Sequence, residues 1–291
     1  MNSMKQKNRN GELIQQFGGT QNRMLGLLYG SAAGRMLLKP LTAPAISRMA
    51  GKFLSTRLSC LLIKPFIRAN GIDMDQFEPE EYGSYNDFFS RHIRQEARPV
   101  DQTPEHFISP CDSKLTVLPI DAQQRFVLKH TEYSVASLLK NEKLAKAYEG
   151  GYALIFRLSV EDYHRYCYVD DGGKEEQVCI PGVLHTVNPI ANDYFPIYKE
   201  NAREYTILHS RSFGDVIVME VGALMVGRIV NHHQQAQVKR GQEKGYFQFG
   251  GSTIVLLVKA NAVCLDEDIL KNSAEGIETV VKYGEKIGTV C

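Results

Sequence analysis

Two textures of apolar and polar residues divide this chain, and they meet near Pro99. Beyond that point short apolar or alternating runs recur between Gly, Pro and Asp: 114–120, 152–158, 166–169, 206–209, 216–221, 223–229 and 254–258. Alternation with period two marks a half-buried strand, and an unbroken β-branched or Leu run marks a buried one. Many short strands set between turn residues predict a mainly antiparallel β-sandwich or barrel-like body. One helical insert, 134–148, interrupts them with Val135, Leu138, Leu139 and Leu144. Before Pro99 the period is helical. Leu54, Leu58, Leu61 and Leu62 recur at i, i+4, i+7 and i+8 among Arg48, Lys52, Arg57 and Lys64. Pro40, Pro44 and Pro65 break residues 24–69 into short helices. A further helix is expected within 80–101, with Tyr85, Phe88, Phe89 and Ile93 on one face and Arg98-Pro99 as its stop. Residues 1–22 are polar, without a period, and are expected to begin loosely ordered. The fold class is therefore α+β.

Charge sharpens the division. The whole chain carries a formal net charge of +1, but residues 1–70 hold eleven Lys/Arg against the single acid Glu12. A basic arm on an acidic body suits an anionic surface. The arm reads either as helices packed on the core or as an interfacial membrane anchor with basic side chains on headgroups. No uncharged stretch approaches the ~20 apolar residues of a spanning helix, and no signal-peptide core is present, so membrane contact would be peripheral. The six cysteines, at 60, 111, 167, 179, 264 and 291, show neither metal-ligand spacing nor a disulfide framework, which points to a reducing compartment.

The chemistry concentrates in KGYFQFGGSTIVLL, residues 244–257. Gly250 and Gly251 admit backbone conformations that a Cβ forbids, and Ser252 directly follows the Gly251 carbonyl. Alone, GGST is a turn feeding a strand. The longer string resembles the self-processing site of phosphatidylserine decarboxylases. Three further stretches resemble that family in the expected order: YNDFFSR at 85–91, SPCDS at 109–113, and DYHR at 162–165 with TVNP at 186–189. The resemblance implies that the Ser252 hydroxyl attacks the Gly251 carbonyl, that the chain breaks there, and that Ser252 becomes a covalent pyruvoyl group. It implies a catalytic body over 71–291, cut into a large chain ending at 251 and a small chain 252–291, with 1–70 as the membrane-association region. The two chains form a heterodimer, with a homodimer of that pair as one further arrangement.

Within that resemblance, the substrate amine forms a Schiff base with the pyruvoyl carbonyl. His164 then protonates the carbon left after CO₂ loss. Asp112 supplies the acid of a Ser-His-Asp relay for cutting, because a serine hydroxyl needs a base and the base needs an oriented partner. One branch of the family carries a second His three positions after the first; this chain has Cys167 there. His164 therefore serves both steps, or His209 or His185 serves as the cutting base, with Asp162 as a further secondary candidate. Tyr163, Thr186 and Asn188 are candidate substrate contacts, and no metal is implied. The expected partners are a phospholipid substrate and an anionic membrane surface, not nucleic acid, which places the protein peripherally on the cytoplasmic face of the cell membrane. Two alternatives stay open: a Ser-His-Asp lipid hydrolase, although Gly-x-Ser-x-Gly is absent, and a non-enzymatic membrane-docking β-module.

Overall fold

The run after the glycine-serine motif is apolar throughout because both of its sides are covered. In the computed structural model, which describes residues 5–14, 19–128, 131–188, 191, 194–223, 228–248, 250 and 252–291, Ser252–Val258 is the central strand of a ten-stranded sheet. It pairs antiparallel with Gly214–Val221 on one side and Tyr152–Leu158 on the other. Across the sheet the order is Gln6–Lys7, Glu278–Val281, Ser113–Pro119, Tyr152–Leu158, Ser252–Val258, Gly214–Val221, Arg203–Ser210, Gly172–Lys174 and Ala236–Val238, with Val178–Ile180 also on Arg203–Ser210. Among the described strands of this sheet, only the Gln6–Lys7 pairing is parallel.

Alternate residues of a strand face opposite ways. Ile254, Leu256 and Val258 enter a core with Phe107, Tyr166, Phe247 and Ile287, which come from two three-stranded sheets. Val255 and Leu257 enter a second core with Leu138, Tyr148 and Tyr198, which come from helical segments. The expected sandwich is thus met on one face only. Helices cover the other, and among the described residues no sheet closes into a barrel. Within the sheet layer lies an ion pair without water access: Lys244 Nζ donates to Glu220 Oε1 at 2.7 Å, and both side chains are fully buried.

Three expectations need correction, and a fourth falls largely outside the described residues. The helix foreseen within 80–101 contracts to Tyr85–Phe89. Ser84 caps its start by accepting the Asp87 N–H, while Ser90 Oγ donates to the Asn86 carbonyl and Arg91 N–H closes a tighter turn on the Phe88 carbonyl. Second, the leucine stripe is split. The helix Pro44–Leu54 ends at its first member and a 3₁₀ segment, Arg57–Leu62, follows, so Leu54 is buried while Leu58 and Leu61 are 72% and 78% exposed. Third, Cys264, in the strand Val263–Leu265, forms a disulfide with Cys291, the residue after the neighbouring antiparallel strand Lys286–Val290. Their separation of 27 residues is no local motif; the returning chain brings them together. Fourth, the strand foreseen at 223–229 falls largely on 224–227, outside the described residues, and Ile229–Asn231 forms the described strand.

The basic arm is anchored at its start. Gln6–Lys7 joins the main sheet, and Arg9 grips Asp266 and Asp268, each at 2.7 Å. Leu25, Tyr29 and Leu38 of the following helices enter the helical-side core. Their outward positions remain bare: Leu27, Met36, Leu37, Met49 and Phe53 are all more than half exposed.

Candidate active site

Two of the sequence motifs pair with each other. Arg165–Cys167 runs antiparallel to Glu243–Phe247, with Tyr246 opposite Arg165 and Gly245 opposite Tyr166. A Cβ on Gly245 would strike the Val230 carbonyl, so that strand passes only as glycine. The Phe247 N–H donates to the His164 carbonyl at 3.0 Å, fixing the histidine at the mouth of the ladder. The chain then turns through Gly250, whose φ of 127° belongs to glycine, and enters the central strand at Ser252. Gly251 lies outside the described residues. By strand parity Ser252 shares the face of Ile254 and Leu256, the side on which the His164 strand packs.

Ser252 and His164 are both fully buried, with Nδ1 3.4 Å from Oγ. The other ring nitrogen, Nε2, lies 3.0 Å from the Ser159 carbonyl. A carbonyl can only accept, so Nε2 carries the proton and the Nδ1 lone pair faces the serine hydroxyl. Phe89 stacks on the ring at 4.1 Å and holds its plane. Burial, then the nearby Arg91 charge, lowers the imidazole to about 3; the Ser159 bond and Asp112 pull weakly the other way. The pair is a hydroxyl facing a neutral base without water, the requirement for an activated oxygen nucleophile.

Asp112 does not complete a hydrogen-bonded relay. Arg98 takes it instead, donating Nε to Oδ1 at 2.8 Å and Nη2 to Oδ2 at 2.6 Å, and the Tyr283 N–H adds a third bond. Burial pushes this carboxyl up, but the Arg98 fork and Lys282 outweigh it and hold it below the usual carboxylate range. The tautomer of His164 is set by the Ser159 carbonyl, and Asp112 acts on the ring through its field. Asp162 accepts from the Ser159 N–H at 2.7 Å and from Lys114 Nζ at 2.6 Å, so it braces the turn that presents that carbonyl. Cys167 is buried among apolar side chains, and desolvation pushes its thiol up to about 12, which removes it as a base at neutral pH.

The two reserve histidines lie elsewhere. His209 bonds Asp215 at 2.7 Å and Glu175 at 2.9 Å at the surface, and the Asp215 bond raises its proton affinity. Asp215 is six residues along its strand from Val221, the partner of Thr253; at strand rise this is ~20 Å from the serine end. The His185 ring is committed to Phe195 at 4.4 Å and to the Tyr29 hydroxyl at 3.5 Å. Tyr29 also accepts the Thr186 N–H, and Thr186 Oγ accepts the Asn188 N–H, so these two candidates cluster against the first N-terminal helix. Tyr163 packs between Phe77 and Tyr283. Sequence reasoning missed Ser159 and Phe89 as the groups that orient the base. Phe89 lies inside YNDFFSR and Ser159 three residues before DYHR, yet neither residue type signals that role.

The phosphatidylserine decarboxylase family model matches residues 85–289. The chain is 48% identical over 269 residues to phosphatidylserine decarboxylase proenzyme 2 of Clostridium acetobutylicum, covering 92% of each. It is 40% identical to the phosphatidylserine decarboxylase proenzyme of Ruminiclostridium cellulolyticum, covering 94% of this chain and 93% of that one. A third relative, the proenzyme of Clostridium novyi, is 40% identical over 90% of this chain and 91% of its own length. These comparisons support neither the hydrolase nor the docking-module alternative.

Proposed function

This chain belongs to the phosphatidylserine decarboxylase family, and from that premise we propose that it activates itself by cutting before Ser252, with His164 as the base. The observation that carries the proposal is the unprotonated Nδ1 of His164 on the buried Ser252 hydroxyl at 3.4 Å. Nδ1 accepts the Oγ proton while Oγ bonds to the Gly251 carbonyl carbon. The C–N bond breaks and the Ser252 nitrogen takes a proton, leaving an ester. Loss of the Ser252 Cα proton then expels Oγ with the Gly251 carboxylate across Cα–Cβ, giving chains 1–251 and 252–291; the enamine left at residue 252 shifts to an imine, and one water replaces its nitrogen by oxygen and releases ammonia. Ser252 fits the residue that carries a pyruvoyl group, since it starts a rigid central strand and is fully buried. When present, that group supplies a carbonyl that condenses with the substrate amine and accepts the electron pair left by CO₂. His164 Nδ1 faces the same position and, once it has taken up a proton, can deliver it to the substrate carbon.

Intact mass of wild type, Ser252→Ala and His164→Ala tests this. Wild type should give a 40-residue fragment with a blocked N-terminus, and both variants should stay whole. An active, unbroken wild-type chain would overturn the reading.

We further propose that the N-terminal helices lie on the lipid surface that holds the substrate. In these helices Leu27, Met36 and Leu61 stand exposed, and so do the basic residues Arg48, Lys52, Arg57 and Lys64, a composition suited to the headgroup boundary. Among the described residues no helix is long and apolar enough to cross a membrane. Sedimentation with anionic vesicles should fall with salt; equal binding to neutral vesicles at all salts would refute it.

A further inference from the structure

Arg91, the last residue of the YNDFFSR motif, is 1% exposed. Its guanidinium lies over Phe77 at 4.0 Å and Phe88 at 4.7 Å, and Nη1 donates to the Phe88 carbonyl at 3.2 Å. Nε and Nη2 are buried and find no partner among the described residues. Those two N–H groups make up one edge of the guanidinium. It is the edge by which Arg98 grips Asp112 and Arg157 grips Glu278, through Nε and Nη2 each time. The same chain thus shows twice what this fork does when buried: it takes a two-oxygen anion.

The fork neighbours the reaction centre through the aromatic side chains around it, and its charge is felt at His164. Phe89, two residues earlier, stacks on His164 at 4.1 Å, and Phe77, which lies against the guanidinium, packs against Tyr163, the chain neighbour of His164. We propose that the Nε/Nη2 edge of Arg91 seats the phosphodiester of the lipid headgroup while the serine end reaches His164. The proposal rests on the reading of Ser252 and His164 as the reaction centre. Chemistry decides between the two anions of the headgroup. A cation fixed on the carboxylate would stabilise the charge that must leave that group with CO₂, raising the barrier. A cation on the phosphate binds without that penalty. One CH₂ and one ester oxygen separate the phosphorus from the reacting carbon, so the phosphate oxygens lie roughly 4–5 Å from it, close enough for one pocket. An anion at this edge also offsets the Arg91 part of the positive field on His164, while burial of the ring, the larger cause, remains.

The test uses mature enzyme turning over phosphatidylserine in mixed micelles, with wild type, Arg91→Gln and Arg91→Lys. Three inhibitors separate the anions: glycerophosphoethanolamine has the diester and no carboxylate, O-methylserine has the carboxylate and no phosphate, and inorganic phosphate has neither amine nor ester. Arg91→Gln should weaken glycerophosphoethanolamine ~10-fold or more and raise KM more than it lowers kcat, leaving O-methylserine within ~2-fold. Arg91→Lys keeps the charge but not the fork, and should fall between; it serves alone if the Gln variant fails to fold. Unchanged diester inhibition in the variants overturns the proposal. So does an Arg91-dependent loss confined to O-methylserine, or Arg91-dependent binding of inorganic phosphate without binding of the diester. Intact mass is read in parallel: an uncut wild type defeats the reaction-centre reading, whereas a cut wild type with Arg91-independent inhibition defeats this inference alone.

Discussion

Self-cleavage at Ser252 should be almost indifferent to acid down to pH 5. An imidazole at its ordinary value of 6.5 is about 3% neutral at pH 5, so a cutting rate that depended on such a base would fall about 30-fold between pH 8 and pH 5. Burial and the Arg91 charge take His164 to about 3. The ring then stays neutral across that window, and the rate should change less than about 2-fold. The same shift weakens the fold in acid. Below pH 6.5 the unfolded chain takes a proton that the folded chain refuses until about pH 3, so the neutral ring's contribution is full above 6.5 and is lost as pH falls through the window. At pH 5 that loss is about 2 kcal/mol. Precursor pulse-labelled in cell-free translation can be transferred to buffers from pH 5 to 8 and quenched at intervals. Far-UV circular dichroism confirms that the chain is folded at each pH. An acid limb with a midpoint near 6.5 in folded protein would show that His164 is not the base, or that its surroundings are wet.

Three other outcomes are expected. Lys244→Met alone leaves Glu220 charged and fully buried and should cost ~3–5 kcal/mol in urea unfolding of the uncut Ser252→Ala chain, with Glu220→Leu added to it recovering most of the loss. Phe89→Ala removes the ring stacked on His164 and should cost ~3–5 kcal/mol by the same assay while slowing cutting in otherwise wild-type chain, because the base loses its fixed plane. Thiol labelling of the denatured, unreduced chain should modify Cys60, Cys111, Cys167 and Cys179, and should reach Cys264 and Cys291 only after reduction.

The strands were legible wherever both neighbours in the sheet enforce apolar burial: 152–158 and 254–258 stand where the pattern put them, the latter extended to include Ser252. The helical boundaries were not. Period alone carried the leucine stripe past Leu54, because nothing in a 3.6-residue repeat announces a switch to 3₁₀ geometry. At the site, Ser252 and His164 were legible as a pair because each sits in a distinctive string. Asp112 was read as the acid of a relay, but its partner was not legible: Arg98 is near in sequence, and a guanidinium fork competes for a carboxylate more strongly than a neutral imidazole. The group that does orient His164 is a backbone carbonyl, which every residue possesses and no sequence can flag.

The position of Ser252–Val258 at the middle of the sheet has a consequence for the life of the molecule. A cut before Ser252 leaves this strand laced to Gly214–Val221 and Tyr152–Leu158, and leaves Glu278–Val281 clasped between Gln6–Lys7 and Ser113–Pro119. The fragment is retained as an interior piece rather than as a docked subunit. The precursor folds as one chain, by a unimolecular route; once cut, any refolding must first bring two chains together and thread a strand between two occupied neighbours. With the proposed cut made, the protein would be held by the height of its unfolding barrier rather than by a reversible balance. Each copy would then have one opportunity to fold, and a heat pulse that opened the sheet would end its working life.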